Sequence, residues 1–133
     1  MRGMHRSRLV QLFLDCDENH VPMKDAVRFW GGALGMQRNP EDKPEDRYQM
    51  LVGRDGLPKI GLQRVKDPSA IHLDIETDDV EAEVRRLEKL GAVRKRQVRT
   101  WWVMRAPTGH DFCVVRPQTA DFPGDAHEWS DED

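Results

Sequence analysis

Ile71-His72-Leu73-Asp74-Ile75-Glu76 alternates apolar and polar residues at every step, the period of a β-strand with two unlike faces. Just beyond it Val80, Val84, Leu87 and Leu90 recur at helical spacing, with Asp78 and Glu81 as a capping pair in front and Gly91 as the stop. Residues 71–91 therefore read as strand then helix. Parity assigns the faces: if Ile71, Leu73 and Ile75 pack under the helix, His72, Asp74 and Glu76 point to the opposite side.

The same order occurs earlier in the chain. Val10, Leu12 and Leu14 alternate with Gln11, Phe13 and Asp15, and Ala26, Phe29, Trp30, Ala33 and Leu34 make a helical stripe that Gly35 ends. Leu34-Gly35-Met36 then matches Leu90-Gly91-Ala92, with about five extra residues around 18–23 in the first copy, a loop insertion of tolerable cost. Beyond each glycine come three short extended segments, 36–39, 48–53 and 59–65 against 92–98, 101–106 and 111–116. The turns Arg54-Asp55-Gly56 and Pro107-Thr108-Gly109 occupy corresponding places. The sequence predicts an α+β protein of two tandem βαβββ modules, 8–66 and 69–117, followed by an acidic segment, 118–133. In this reading Phe29 and Trp30 enter the core. Phe112 and Val114 face the second helix, leaving Asp111, Cys113 and Val115 on the other face, as Ile60 and Leu62 leave Lys59, Gly61 and Gln63.

Composition narrows the function classes. With 133 residues the chain holds one core or two small repeats, and a net charge of −3 gives no nucleic-acid footprint. The apolar run 9–14 is short and broken by Asp15, so neither a signal peptide nor a membrane span is expected and the protein reads as cytoplasmic. Cys16 and Cys113 stand far apart without CxxC spacing and read as reduced thiols. From Gln118 onward Asp121, Asp125, Glu128, Asp131, Glu132 and Asp133 meet no Lys or Arg. That segment is expected to be mobile unless Phe122 and Trp129 pin it. No G-x-S-x-G, H-E-x-x-H or G-x-x-x-x-G-K motif is present. Trp30-Gly31-Gly32-Ala33-Leu34-Gly35 lies at a helix end, where glycines serve close packing and termination rather than phosphate binding.

The doubled pattern, with His72-Leu73-Asp74 opening its second half and Trp102-Val103-Met104 through Pro107-Thr108-Gly109-His110-Asp111-Phe112-Cys113-Val114-Val115 closing it, resembles the vicinal oxygen chelate superfamily, and within it the glyoxalase-like branch with bleomycin-resistance proteins and extradiol dioxygenases. Ala106 and His110 replace the common Asp and Asn of the closing motif. The resemblance implies a cupped mixed sheet with helices outside and a site inside, collecting Gln11, Phe13, Gln63, His72, Asp74, Trp102 and Cys113. It also implies one divalent metal ion (zinc, nickel, manganese or iron) on His72 and Gln11, with Cys113 at the place of a common glutamate ligand and Asp74 or Glu76 as an alternative carboxylate. A structural, hydrogen-bonded His72 and a Cys113 serving as a small apolar residue stand beside that reading. Trp101 and Trp102 must face opposite sides, so one packs under a helix and the other enters the cup. The expected function is small-molecule binding in the cup; the alternatives are a metal-dependent lyase, isomerase or dioxygenase, and a regulatory or assembly module with an acidic docking tail. A homodimer is expected from open strand edges, with no nucleic acid or membrane partner.

Overall fold

β1 (Met4–Asp17), α1 (Met23–Leu34), β2 (Gln37–Arg38), β3 (Tyr48–Val52) and β4 (Lys59–Val65) are followed by β5 (Ala70–Thr77), α2 (Val80–Lys89), β6 (Val93–Val98), β7 (Trp101–Arg105), β8 (Asp111–Val115) and β9 (His127–Ser130). The computed structural model describes residues 3–53 and 59–133; the expected turn Arg54-Asp55-Gly56 lies outside them. Strand–helix–strand–strand–strand thus occurs twice, and the hydrogen-bonded strand order is β2-β3-β4-β1-β5-β8-β7-β6, with β9 on β1. Two compact units are cut at Val10/Gln11 and His72/Leu73, inside β1 and β5.

In the unit Gln11–His72, β1 runs parallel to β4 from Gln11↔Lys59 to Asp17↔Val65, and β3 joins β4 antiparallel. Leu14 and Cys16 on β1 and Ile60 and Leu62 on β4 turn toward α1, where they meet Met23, Ala26, Val27 and Trp30. Fully buried apolar side chains such as Leu62 each contribute about 1.5–3 kcal/mol. The helix stripe differs from the expected one. Trp30 packs at the core margin, but Phe29 is 63% exposed and Leu34 is also exposed. The reason is close packing at Gly31, where a Cβ would stand 2.8 Å from the Met36 carbonyl oxygen; this turns the Met23–Ala26–Trp30 side of α1 inward instead. Gly35, at φ 67°, ends the helix in the left-handed region that glycine enters freely.

In the other unit, β5 and β8 are parallel, while β8–β7 and β7–β6 are antiparallel. Val84 and Leu87 of α2 pack on Met104 and Val114, with Ile75, Trp102 and Phe112 at the margin. α2 covers Ile75 but not Leu73, which is exposed, as is Ile71 in the first unit; the expectation that all three lie under a helix holds only for Ile75. The cap also shifts by one residue. Asp79, not Asp78, accepts the Ala82 N–H at 3.0 Å, and Asp78 instead accepts from the Arg6 backbone at 2.8 Å.

The segment expected to be mobile is built into this unit. β9 pairs antiparallel with β1 from Met4↔Ser130 to Ser7↔His127. Trp129 Nε1 donates to Ser7 Oγ at 2.9 Å and its ring lies 3.7 Å below the Arg86 guanidinium. Arg8 reaches Asp121 and Asp125 while facing the Phe122 ring.

Two buried carboxylates anchor the arrangement. Glu83 accepts from Arg86 Nε and Nη2 in a bidentate pair and lies 2.7 Å from His5 Nε2. Glu76 receives Arg8 Nε, Thr119 Oγ1 and the Gln118 N–H. Burial alone pushes each carboxyl upward, but these hydrogen bonds outweigh it and hold both below the ordinary carboxylate value.

Candidate functional site

Opposite the α1 face, β1 presents Phe13 and Asp15. The Phe13 ring stacks on the His72 imidazole, centroids 5.3 Å apart and planes 9° from parallel, and meets Tyr48 edge-on at 6.0 Å. Its register partner is Gly61, where a Cβ would sit 2.5 Å from the ring, so the missing side chain is what admits Phe13. Asp15 Oδ2 lies 2.9 Å from His72 Nδ1, while Asp15 Oδ1 is buried without a hydrogen-bond partner among the described residues. Gln63 donates to the Tyr48 hydroxyl at 3.2 Å. Gln11 is buried on the same strand face as Phe13 and Asp15.

Along β5, Asp74 follows His72 by two positions and so shares its face, and Cys113 on β8 is the register partner of Asp74. One ligand atom each from His72, Asp74 and Cys113 lies within 4.8 Å of the others. Imidazole, carboxylate and thiolate with open positions suit zinc or a similarly borderline divalent ion, and the sulfur weighs against manganese. A carboxylate on one ring nitrogen is the usual device for fixing a metal-binding histidine's tautomer and orientation, the place Asp15 takes. The residues present therefore fit such an ion.

Two sequence-based expectations need correction. Glu76 does not complete this set, because Arg8, Thr119 and Gln118 consume its oxygens. Trp102 lies on the α2 face, in the core margin and 5.0 Å below the Arg94 guanidinium, so the tryptophan on the Asp74–Cys113 face is Trp101. Asp15 and Tyr48 join the site without having been assigned a role in advance. Asp15 had the correct parity, and Tyr48 opens the strand equivalent to the one Trp101 opens.

A further concavity lies on the α1 side of the first unit. It encloses about 610 Å³ among Leu14, Cys16, Val21, Phe29, Trp30 and Ile71, and accounts for the exposed Phe29 and Ile71. Burial, then the charge of Asp15, pushes the Cys16 thiol up, which keeps it unreactive.

The model of the glyoxalase-like domain family matches residues 11–115, which spans both βαβββ repeats and every residue of the site. The chain belongs to the glyoxalase-like domain family. No curated protein matches it. Among solved structures, this glyoxalase-like protein is similar to methylmalonyl-CoA epimerase from Mycobacterium tuberculosis, at 18% identity and TM-score 0.54 over 84% of this chain and 88% of that one. It is similar also to a glyoxalase/bleomycin resistance protein/dioxygenase superfamily member from Vibrio splendidus, at 18% identity and TM-score 0.51 over 81% and 97%. Homoprotocatechuate 2,3-dioxygenase from Brevibacterium fuscum aligns at 14% identity and TM-score 0.58, over 86% of this chain and 37% of that one. At these identities the glyoxalase-like protein shares their fold, and the difference between an epimerase and a dioxygenase shows that the fold leaves the reaction open. Among the described residues no helix is long and apolar enough to cross a membrane.

Proposed function

We propose that this glyoxalase-like protein binds a small molecule on the sheet face bearing His72, Asp74 and Cys113, with a divalent ion as the docking point. The observation that carries the reading is the imidazole, carboxylate and thiol donors within 4.8 Å of one another. Asp15 orients the His72 ring and Phe13 covers one face of it, so the imidazole is held before any ligand arrives. A divalent ion in such a place acts as a Lewis acid toward ligand oxygens. Asp74 supplies the carboxylate that Cys113 removes from the family's usual glutamate position, which favours, as a second reading, a metal-dependent lyase, isomerase or dioxygenase. A docking role for the acidic segment has less support, because Asp121, Asp125, Glu128 and Asp131 are engaged by Arg8, Arg6 and Gly3.

The test is elemental analysis of purified protein, then thermal-shift titration of chelator-treated wild type and His72→Ala with zinc, nickel, manganese and iron(II). About one ion per chain is expected, with a rise of about 8 °C at a hundredfold excess over Kd, abolished in His72→Ala. No ion and no shift with any of the four would overturn the metal reading.

The same reading carries a cytoplasmic homodimer, supported by the open outer strands β2 and β6. Light scattering at micromolar concentration is expected to give twice the chain mass; a value near 15.4 kDa would contradict the dimer.

A further inference from the structure

β6 and β7 change register between Arg94 and Arg96, and this irregularity sorts the basic residues of β6 onto two faces. Arg94 stands opposite Met104, on the α2 side, where it meets Glu81, Glu88 and the Trp102 ring. After the shift Arg96 stands opposite Val103, and Val103 in turn opposite Cys113, which pairs with Asp74. Directly opposite residues share a face, so Asp74, Cys113, Val103 and Arg96 form one row across four strands. The residue taken up by the irregularity, Lys95, turns to the same face and reaches Asp111 at 2.6 Å, as Arg105 does at 3.1 Å.

Three cations therefore share one face, and Asp111 is the carboxylate that Lys95 and Arg105 divide between them. Arg96 is exposed and has no acidic partner among the described residues. Trp101, two pairs further along β7 and so on the same face, stands opposite Val98 and is the aromatic nearest it in the register. Between Arg96 and Cys113 lie two interstrand spacings, about 10 Å. That span suits a flat apolar body resting on the part-exposed Trp101, with the buried Val103 beneath the row.

We infer that this face selects organic anions: the ligand carries a carboxylate or phosphate group that Arg96, with Lys95 beside it, receives about 10 Å from Cys113, while its body lies along Val103 and Trp101. The inference rests on the proposed small-molecule reading and names its ligand class. Positive charge on an outer strand also discourages strand-to-strand association, and the test separates the two roles.

The probes are 2-naphthoate and its neutral isostere 2-naphthamide, titrated at low salt into the full chain and followed by backbone amide shifts in NMR. Naphthoate is expected to bind at least about tenfold tighter than the amide, perturbing Arg96, Trp101 and Val103. Arg96→Gln should remove that preference and leave naphthamide within about twofold, and Arg96→Lys should restore part of it. Asp111→Asn, which releases Lys95 and Arg105, should tighten naphthoate, a gain that damage to the fold cannot produce. Equal binding of the two probes, or an Arg96→Gln variant that keeps the preference, overturns the inference and leaves small-molecule binding standing. If neither probe binds and no metal shift occurs, the small-molecule reading falls with it.

Discussion

Glu83→Ala is expected to lose about 3 kcal/mol of folding stability, because it strands the mostly buried Arg86 and His5 side chains around a fully buried carboxylate rather than deleting a surface contact. Glu83 has no exposed area, and Arg86 Nε and Nη2, His5 and Ser7 converge on its oxygens. Without the carboxylate, Arg86 loses both of its hydrogen bonds to Glu83 and keeps the Trp129 ring, a contact of about 0.5–2 kcal/mol. Glu83→Gln keeps the volume and some hydrogen bonds and should lose less. Urea denaturation of the three proteins checks the order, and a loss under about 1 kcal/mol for the alanine variant would show the network to be uncoupled. The pH dependence has a definite sign. The folded-state pKa of Glu83 lies below its ordinary 4.5, so the stabilisation is complete above that value and disappears as pH falls through the lower folded-state pKa. In Glu83→Gln the acid limb of the stability profile should flatten.

Arg8→Ala is the second large effect, expected at about 3 kcal/mol, with release of 118–126 to proteolysis. Asp121 and Asp125 are mostly exposed, and their ion pairs with Arg8 contribute little. The cost comes from Glu76, whose side chain is wholly buried and would retain, among the described residues, Thr119 and the Gln118 N–H. Asp125→Asn should therefore leave the denaturation midpoint close to that of the wild type. Arg8→Lys should recover little, since one ammonium cannot reach Glu76, Thr119, Asp121 and Asp125 from a single rigid fork. If Arg8→Lys matches wild type, net charge rather than the fork holds this corner.

How far the sequence could be read depended on contrast between alternating residues. Ile71 to Glu76 and Val10 to Asp15 alternate cleanly, so the faces of Phe13, Asp15, His72, Asp74 and Cys113 were legible in advance. Trp101-Trp102-Val103-Met104 has no such contrast, and parity alone could not say which tryptophan meets the helix; the register with β8 decides it. Phe29 has the spacing of a core residue, but the close approach of Met36 at Gly31 turns the Met23–Ala26–Trp30 side of α1 inward instead. The His72–Asp15 pair joins residues 57 positions apart, a distance over which no local pattern speaks. The role of the acidic segment was hidden for the opposite reason. Its charge suggested solvation, whereas its partners Arg6, Arg8 and Lys89 lie far upstream.

The pairing of β9 with the first residues of β1 joins Met4 to Ser130, almost the full span of this sequence. Closing so long a loop is entropically favourable only after the intervening chain is organised. During synthesis the Met4–Ser7 backbone leaves the ribosome well before β9 and gains that partner only after β2 to β8 have emerged. For that interval its N–H and C=O groups form an open template for a neighbouring chain. Slower translation or depletion of chaperones should therefore harm the yield of this protein more than its equilibrium stability would suggest.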